Sequence, residues 1–176
     1  IKILKMNIGG ISKLSKDRLL DEMKKIMEVD TLEKLNKDKI SLGLILTIFP
    51  ELKNIKISSK LSQSNKELLK KQNFLFLISL MVIDDTDNAD YFLYKYNISK
   101  KNQKRIKGIN NFFKEKNNNT KFTKKNLNKF FYYQGKEFVV DILNHMIIKS
   151  KKNESSLNEL KNYYQNIEQP VLPVSG

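Results

Sequence analysis

The stretch 11–27 constrains the fold of this chain most, because its apolar residues recur at the three- and four-residue spacing of one helical face. The residues that we expect to form the buried stripe of this helix are Leu19, Met23, Ile26 and Met27. Ser15 precedes the stripe and is a favoured residue type for a helix N-cap. The segment is therefore predicted to be an amphipathic helix that is entered from a loop.

The same helical spacing continues along the chain, and no segment shows the alternation of apolar and polar residues that marks a strand. We therefore predict an all-α protein, a multi-helix bundle or array of about seven to nine helices with no sheet. The other predicted helices are a short one beginning at Asp30, then one from Asp38 or Lys39 to Phe49, then 65–83, 89–96, 100–116, one capped by Thr123, 136–148, and one from Ser155 or Ser156 to Ile167.

Several residues define the predicted ends of these helices. Asp30 and Glu33 have the spacing of a capping box, with Asp30 as the cap. Pro50 is expected to end the helix 39–49, because proline cannot continue a helix without losing a hydrogen bond. Gly43 lies inside that helix and should cost stability unless a neighbour packs closely against it.

A cluster of aspartates, Asp84, Asp85 and Asp87, raises the possibility of a metal site. The segment lacks the glycine and the distal glutamate of a calcium-binding loop. We therefore expect it to end one helix and to cap the next, with Asp87 as the cap. The chain has no cysteine and one histidine, His145, which we expect to be a packed or surface residue and not a catalyst.

Positive charge is concentrated in one quarter of the chain. The formal net charge is +14, and residues 95–136 contain 13 lysines or arginines against one acid. Such a block suits a polyanionic partner, because neutralising phosphates drives affinity for nucleic acid. The alternative is a solvated lysine surface, since only Arg18 and Arg105 are arginines and asparagine is also abundant, as in proteins from AT-rich genomes.

Within this block, apolar residues can face the core while basic ones face outward. Ile106, Ile109, Phe112 and Phe113 are expected on the buried side of the helix 100–116. The predicted RNA-binding residues are Lys100, Lys101, Lys104, Arg105, Lys107, Lys121, Lys124, Lys125 and Lys129. Tyr132 and Tyr133 could stack on bases, although aromatic residues at helical spacing more often belong to the core.

Three segments together resemble a known enzyme family. The first contains Ser15, Arg18, Leu19, Glu22, Met23, Lys25 and Ile26; the second is Gly43-Leu44-Ile45 followed by Ile48-Phe49-Pro50-Glu51-Leu52; the third is Leu172-Pro173-Val174-Ser175-Gly176. In this order they resemble the neck motif, the gly-leu-leu … phe-pro-glu-leu segment and the opening of the last helical section of class II tRNA nucleotidyltransferases and bacterial poly(A) polymerases.

The resemblance implies that residues 1–30 are the end of a neck, 31–170 an RNA-binding helical body, and 171–176 the start of a truncated tail. The neck residues Arg18 and Glu22, which are four apart and can pair, would hold the neck helices in register. The resemblance places catalysis, with Mg²⁺, CTP and ATP, in a head that we expect upstream of Ile1. This fragment would then hold no cofactor and not catalyse alone.

The expected partner is tRNA, bound through its acceptor and TΨC arm, so that its 3′ end is placed for CCA addition in the cytoplasm. No membrane span is expected, because the most apolar run, 74–83, is too short to cross a bilayer.

Three alternatives remain for the function: the same region of a bacterial poly(A) polymerase, a stand-alone helical nucleic-acid-binding module, and a helical scaffold whose lysines reflect genome composition.

Overall fold

The computed structural model describes residues 8–117, 124–149 and 154–168, and in these ranges every regular element is helical. The predicted all-α class is confirmed. These ranges contain ten α-helices and two 3₁₀ helices, more than the seven to nine expected. The α-helices are α1 (Lys16–Ile26), α2 (Val29–Lys37), α3 (Lys39–Ile48), α4 (Gln63–Lys70), α5 (Phe74–Val82), α6 (Asn88–Lys95), α7 (Lys100–Asn117), α8 (Lys124–Gln134), α9 (Lys136–Lys149) and α10 (Glu154–Asn166), and the 3₁₀ helices are Ile8–Lys13 and Ile55–Lys60.

The predicted N-cap Ser15 is confirmed by its hydrogen bond, and Asp38 caps a second helix. The hydroxyl of Ser15 accepts from the backbone N–H of Arg18 at 3.2 Å, which starts α1. The carboxylate of Asp38 accepts from the N–H groups of Ile40 and Ser41 at 3.0 and 3.2 Å, which starts α3. Hydrogen bonds from Ser41 and Ile40 lower the pKa of Asp38, because they stabilise its ionised form.

The predicted long helix 65–83 is wrong, because the chain forms two helices there. Asn73 interrupts the run, and its side-chain oxygen accepts from the N–H of Phe76 at 3.0 Å to start α5. Residues 76–82 of α5 are buried, whereas α4 is amphipathic with Leu69 buried and Lys70 exposed. Because the helix is interrupted, α5 can be surrounded by the core while α4 lies at the surface with one buried side.

Asp30 does not cap a helix, contrary to the prediction. The helix α2 begins one residue earlier, at Val29, and its N-cap position makes no side-chain hydrogen bond. The carboxylates of Asp30 and Glu33 instead form ion pairs with Lys70 and Lys66 of α4, at 3.3 and 3.2 Å. Tertiary pairing, which the local sequence does not encode, therefore replaces the expected capping box.

The aspartate cluster joins α5 to α6. Asp87 occupies the N-cap position of α6, as predicted, but its side chain makes no cap hydrogen bond. Asp84 accepts from the N–H and the hydroxyl of Thr86 at 3.2 and 2.6 Å, and it pairs with Lys53 at 3.0 Å. Asp85 adopts a left-handed backbone with φ of 66°, which turns the chain between the two helices.

The chain forms two compact units, Ile1–Asn110 (the first unit) and Asn111–Gly176 (the second unit). This boundary falls inside α7, whereas the resemblance implies boundaries near residues 30 and 170. Residues 171–176, the expected start of a tail, lie outside the described ranges. The core of the first unit surrounds α5 and includes Met23, Leu32, Leu52, Ile55, Ile78, Leu80 and Phe92, and that of the second includes Leu127, Val139, Ile142, Leu143 and Tyr164.

Asparagine side chains satisfy the C-terminal carbonyl groups of the buried helix α5. The amide of Asn54 donates to the carbonyls of Leu80 and Ile83 at 3.3 and 2.8 Å. The amide of Asn88 donates to the carbonyls of Val82 and Glu51 at 2.8 and 2.9 Å. Because the last carbonyls of a helix have no partner within the helix, these bonds allow α5 to end inside the core.

Gly43 has no close neighbour that would require a glycine. It is exposed in the middle of α3, and a Cβ atom added to it would meet nothing within 4 Å. We therefore expect Gly43→Ala to stabilise the protein by about 0.5–1 kcal/mol, because alanine loses less backbone entropy on entering a helix. Urea unfolding of both proteins measures this difference.

The matched control is Gly10→Ala, which also adds a methyl group in open space but lies in the 3₁₀ helix Ile8–Lys13 and not in an α-helix. A smaller gain is expected there. A loss of stability in Gly43→Ala would show that the backbone at this position is needed for a contact.

The described helices include none with both the length and the apolar character needed to cross a bilayer.

Candidate nucleic-acid interface

The first half of α7 presents four exposed lysines, Lys100, Lys101, Lys104 and Lys107, which we call the lysine face. Three of them, Lys100, Lys104 and Lys107, are spaced at i, i+4 and i+7, so they lie on the same side of the helix. They extend over about 10 Å of helix axis at 1.5 Å per residue. The lysine face is thus a continuous row of accessible positive charge.

The opposite side of α7 anchors this helix, as predicted. Ile106 and Ile109 are almost fully buried in the first unit, and Phe112 and Phe113 are buried in the second. Because the apolar side fixes how the helix is rotated, the lysines are held outward by packing. Hydrophobic periodicity in the sequence therefore correctly separated the core residues of α7 from its exposed lysines.

The other predicted RNA-binding residues are not part of the lysine face. Arg105 is half-buried and already interacts within the protein. Lys129 is exposed on α8 of the second unit. Lys121 lies outside the described residues, and so do the side chains of Lys124 and Lys125.

The aromatic residues of α8 mostly serve the core. Leu127 and Phe131 are buried, and Phe130 contacts the ring of Phe112 at a centroid distance of 5.3 Å. Tyr133 is 69% exposed, and its ring meets that of Tyr132 edge-on at 5.0 Å. Tyr133 thus remains an accessible aromatic ring in the second unit.

His145 is completely buried in α9, so the prediction of a packed residue is confirmed. Its ring lies 5.5 Å from that of Phe113. Burial, together with the positive charge of Lys149, holds the pKa of His145 well below its usual value. The imidazole is therefore neutral at physiological pH and acts as a core side chain.

A groove in the first unit adjoins the lysine face. It encloses about 660 Å³ and is formed by α1, by α6 with the residues that follow it, and by α7. We call it the tyrosine groove, and its lining residues are Lys16, Asp17, Asp90, Leu93, Tyr94, Tyr96, Asn97, Gln103 and Lys107. Its volume lies in the usual range for small-ligand sites, about 300–1,000 Å³.

Tyr94 is the most exposed aromatic ring among the described residues, with 83% of its surface accessible. The ammonium group of Lys16 lies 6.0 Å from the centre of this ring, at the outer limit of a cation–π contact. A large apolar ring is thus held in solvent beside two lysines of the groove, Lys16 and Lys107.

Several polar groups of the tyrosine groove are positioned by hydrogen bonds. The amide of Asn97 donates to Asp17 at 3.3 Å. The amide of Gln103 donates to the carbonyl of Ile98 at 2.8 Å. The groove therefore offers oriented donors and acceptors, and its two lysines are balanced by the two aspartates Asp17 and Asp90.

The neck residues Arg18 and Glu22 are both exposed on α1. Glu22 pairs with Lys25 at 2.9 Å. Within the part of the chain that the structure describes, no ion pair joins Arg18 to Glu22, so the pairing considered from their spacing is replaced by a neighbouring one. Lys25, three residues after Glu22, competes with Arg18 for the Glu22 carboxylate. Both members of the Glu22–Lys25 pair are exposed to solvent.

A buried ion pair that the sequence did not reveal lies in the segment Phe49-Pro50-Glu51-Leu52. Glu51 is 1% exposed, and its carboxylate contacts the ammonium of Lys95 at 2.5 Å. The phenol of Tyr96 is close by, and its burial and the charge of Glu51 raise the pKa of Tyr96. Glu51 and Lys95 are 44 residues apart, so no local pattern could have paired them.

Metal ligands are not clustered in the described ranges: no group of three or more histidine, aspartate or glutamate side chains there could hold an ion. No family model, no curated protein and no solved structure matches this chain.

Proposed function

We propose that this polypeptide is the RNA-binding neck and body of a tRNA nucleotidyltransferase, which holds the acceptor and TΨC arm of tRNA while a separate catalytic head extends the 3′ end. The observation that carries the proposal is the lysine face, in which four lysines are exposed along one helix. The resemblance of the segments at Ser15 and Gly43 to that family supplies the enzyme context.

The chemistry of the lysine face suits a run of phosphate groups. Lysine ammonium groups are strongly hydrated point charges that bind phosphate oxygens without a fixed geometry. A row of about 10 Å can follow successive phosphates of a folded RNA, and each neutralised phosphate releases counterions. Binding of this kind is independent of sequence, as recognition of all tRNAs requires.

In this proposal the catalytic steps, and the Mg²⁺, CTP and ATP that they use, belong to the head. The residues of this chain bind and orient RNA, and we place the protein in the cytoplasm, where tRNA maturation requires it. An A-adding poly(A) polymerase with the same body is the alternative, and it predicts a preference for unstructured RNA ends over folded tRNA.

Charge reversal of the lysine face is expected to abolish tight tRNA binding. In the variant with Lys100, Lys101, Lys104 and Lys107 replaced by Glu, we expect the affinity to fall by roughly a hundredfold or more at low salt. The slope of log Kd against log salt should become shallower by about 3, since each lost phosphate contact removes about 0.7–0.9. Fluorescence anisotropy with labelled tRNA in a series of KCl concentrations measures both quantities.

The matched control reverses four other exposed lysines of the first unit, Lys37, Lys56, Lys60 and Lys71, which gives the same net charge. Circular dichroism checks that both variants are folded. Equal losses in the two variants would mean that binding follows net charge alone, and the lysine face would then have no special role.

A second comparison tests the class of RNA. The proposal predicts that a minihelix made of only the acceptor and TΨC arms binds almost as tightly as whole tRNA. An unstructured RNA of the same length should bind more weakly. Equal binding of all three RNAs would favour a stand-alone nucleic-acid-binding module, and a preference for the unstructured RNA would favour the poly(A) polymerase alternative.

A further inference from the structure

We propose that the tyrosine groove binds one unpaired nucleotide of the RNA whose phosphates lie on the lysine face, with its base stacked on Tyr94. This inference rests on the proposed function, because it takes RNA as the ligand. It adds a second site that distinguishes unpaired from paired nucleotides.

The exposure of Tyr94 is the first observation that carries the proposal. A tyrosine ring that is 83% accessible gains little from packing in the free protein. Every nucleobase has a flat face that can stack on such a ring, and the contact is tolerant of sequence. Lys16, beside the ring at 6.0 Å, can remain there or turn towards a phosphate.

The charge balance of the groove is the second observation. Two lysines and two aspartates line it, so the groove does not attract anions as the lysine face does. A neutral base with donors and acceptors on its edges suits such a lining. Asp17, Asn97 and Gln103 offer oxygen and nitrogen atoms in its lining. The bond from Asn97 to Asp17 and the bond from Gln103 to the carbonyl of Ile98 keep these groups oriented.

Lys107 connects the two surfaces. It lines the tyrosine groove, and it is also the last lysine of the row Lys100, Lys104 and Lys107. A strand whose phosphates follow this row therefore arrives at the groove with a base free to enter it. A base in a continuous duplex remains stacked and paired, so the groove selects an unpaired nucleotide.

The test uses the full chain and two RNA probes, a single-stranded oligonucleotide that carries 2-aminopurine and a blunt hairpin of equal phosphate number. Tyr94→Leu is expected to weaken binding of the single strand about tenfold, as loss of one base–aromatic stack does, and to leave the hairpin unaffected. Tyr94→Phe, which keeps the ring, should bind like the wild type. Quenching of 2-aminopurine fluorescence should be lost only in Tyr94→Leu.

Tyr133→Leu is the matched control, because Tyr133 is also highly exposed but lies in the second unit. If that variant weakens single-strand binding and Tyr94→Leu does not, the base platform is on α8 and the proposal is overturned. Unchanged affinity in both variants also overturns it. In either case, loss of tRNA binding on charge reversal of the lysine face would leave the proposed function standing.

A free nucleotide offers the same base and phosphate chemistry as a nucleotide of RNA. Competition with AMP and ATP separates the two sources. The proposal expects millimolar mononucleotide to leave the single strand bound, because one nucleotide cannot also occupy the lysine face. Displacement by a nucleotide that binds more tightly than the oligonucleotide would identify the groove as a free-nucleotide site and overturn the proposal.

Discussion

Replacing Lys95 with methionine is expected to destabilise the first unit by about 3–5 kcal/mol, the range found when one partner of a buried ion pair is removed. The variant leaves the carboxylate of Glu51 in the core without its cation. Only 1% of Glu51 is exposed, so water cannot replace the lost contact. Urea unfolding followed by circular dichroism measures the change.

A second substitution distinguishes the uncompensated charge of Glu51 from the loss of the other contact of the Lys95 ammonium, with the ring of Tyr96. Adding Glu51→Gln to Lys95→Met removes the buried charge and should recover a large part of the lost stability, because an amide is less costly to bury than a carboxylate. If the double variant is as unstable as Lys95→Met alone, the contact of the Lys95 ammonium with the ring of Tyr96, at 5.2 Å, is what matters. That outcome would contradict the electrostatic explanation.

Lys53→Met provides the comparison with a more solvated pair. Lys53 is about half exposed and pairs with Asp84 at 3.0 Å. Breaking that pair is expected to cost at most about 1 kcal/mol, because water can solvate the lysine and part of its partner. The two lysine-to-methionine changes alter net charge equally. The difference between their losses of stability therefore measures the effect of burying the ion pair.

Asn88→Ala is expected to be the second severe change, with a loss of about 2–4 kcal/mol in the free energy of unfolding. Its amide donates to the carbonyls of Val82 and Glu51, and an unsatisfied buried polar group costs about 1–3 kcal/mol. Asn88→Asp should be worse still, since it directs negative oxygens at two carbonyl oxygens. Thermal and urea unfolding of the two variants give this order.

Asn97→Ala is the matched control, since Asn97 is exposed and its hydrogen bond to Asp17 is weak in geometry, at 3.3 Å. A change within about 0.5 kcal/mol is expected there. A loss of similar size in Asn88→Ala would show that water reaches the end of α5 and replaces the amide.

Local chemistry explains which parts of the fold could be predicted. Ser15 caps α1, as predicted, because its hydroxyl contacts the backbone N–H of Arg18 three residues away. Asp30 had the same local pattern, but its distant partner Lys70 decides its role. The break at Asn73 was missed for a related reason, because both flanking segments favour helix and the burial of α5 separates them.

The candidate site was predictable only where it lies on one helix. The helical spacing of Ile106, Ile109 and the phenylalanines that follow was sufficient to place Lys100, Lys104 and Lys107 outward. The tyrosine groove combines residues from three helices and the loop after α6. In the sequence, Tyr94 cannot be distinguished from the other aromatic residues of an amphipathic helix. Only the packed structure shows that this ring points into solvent.

The helix α5, which is buried on every side, also has a consequence for synthesis of the chain on the ribosome. The apolar run is complete at Val82, but α6, which packs against it, is complete only at Lys95. At roughly 5–20 residues per second, translation of the intervening segment takes about one to three seconds. During that interval a nascent chain displays a strongly apolar segment, which is the kind of segment that a ribosome-associated chaperone shields.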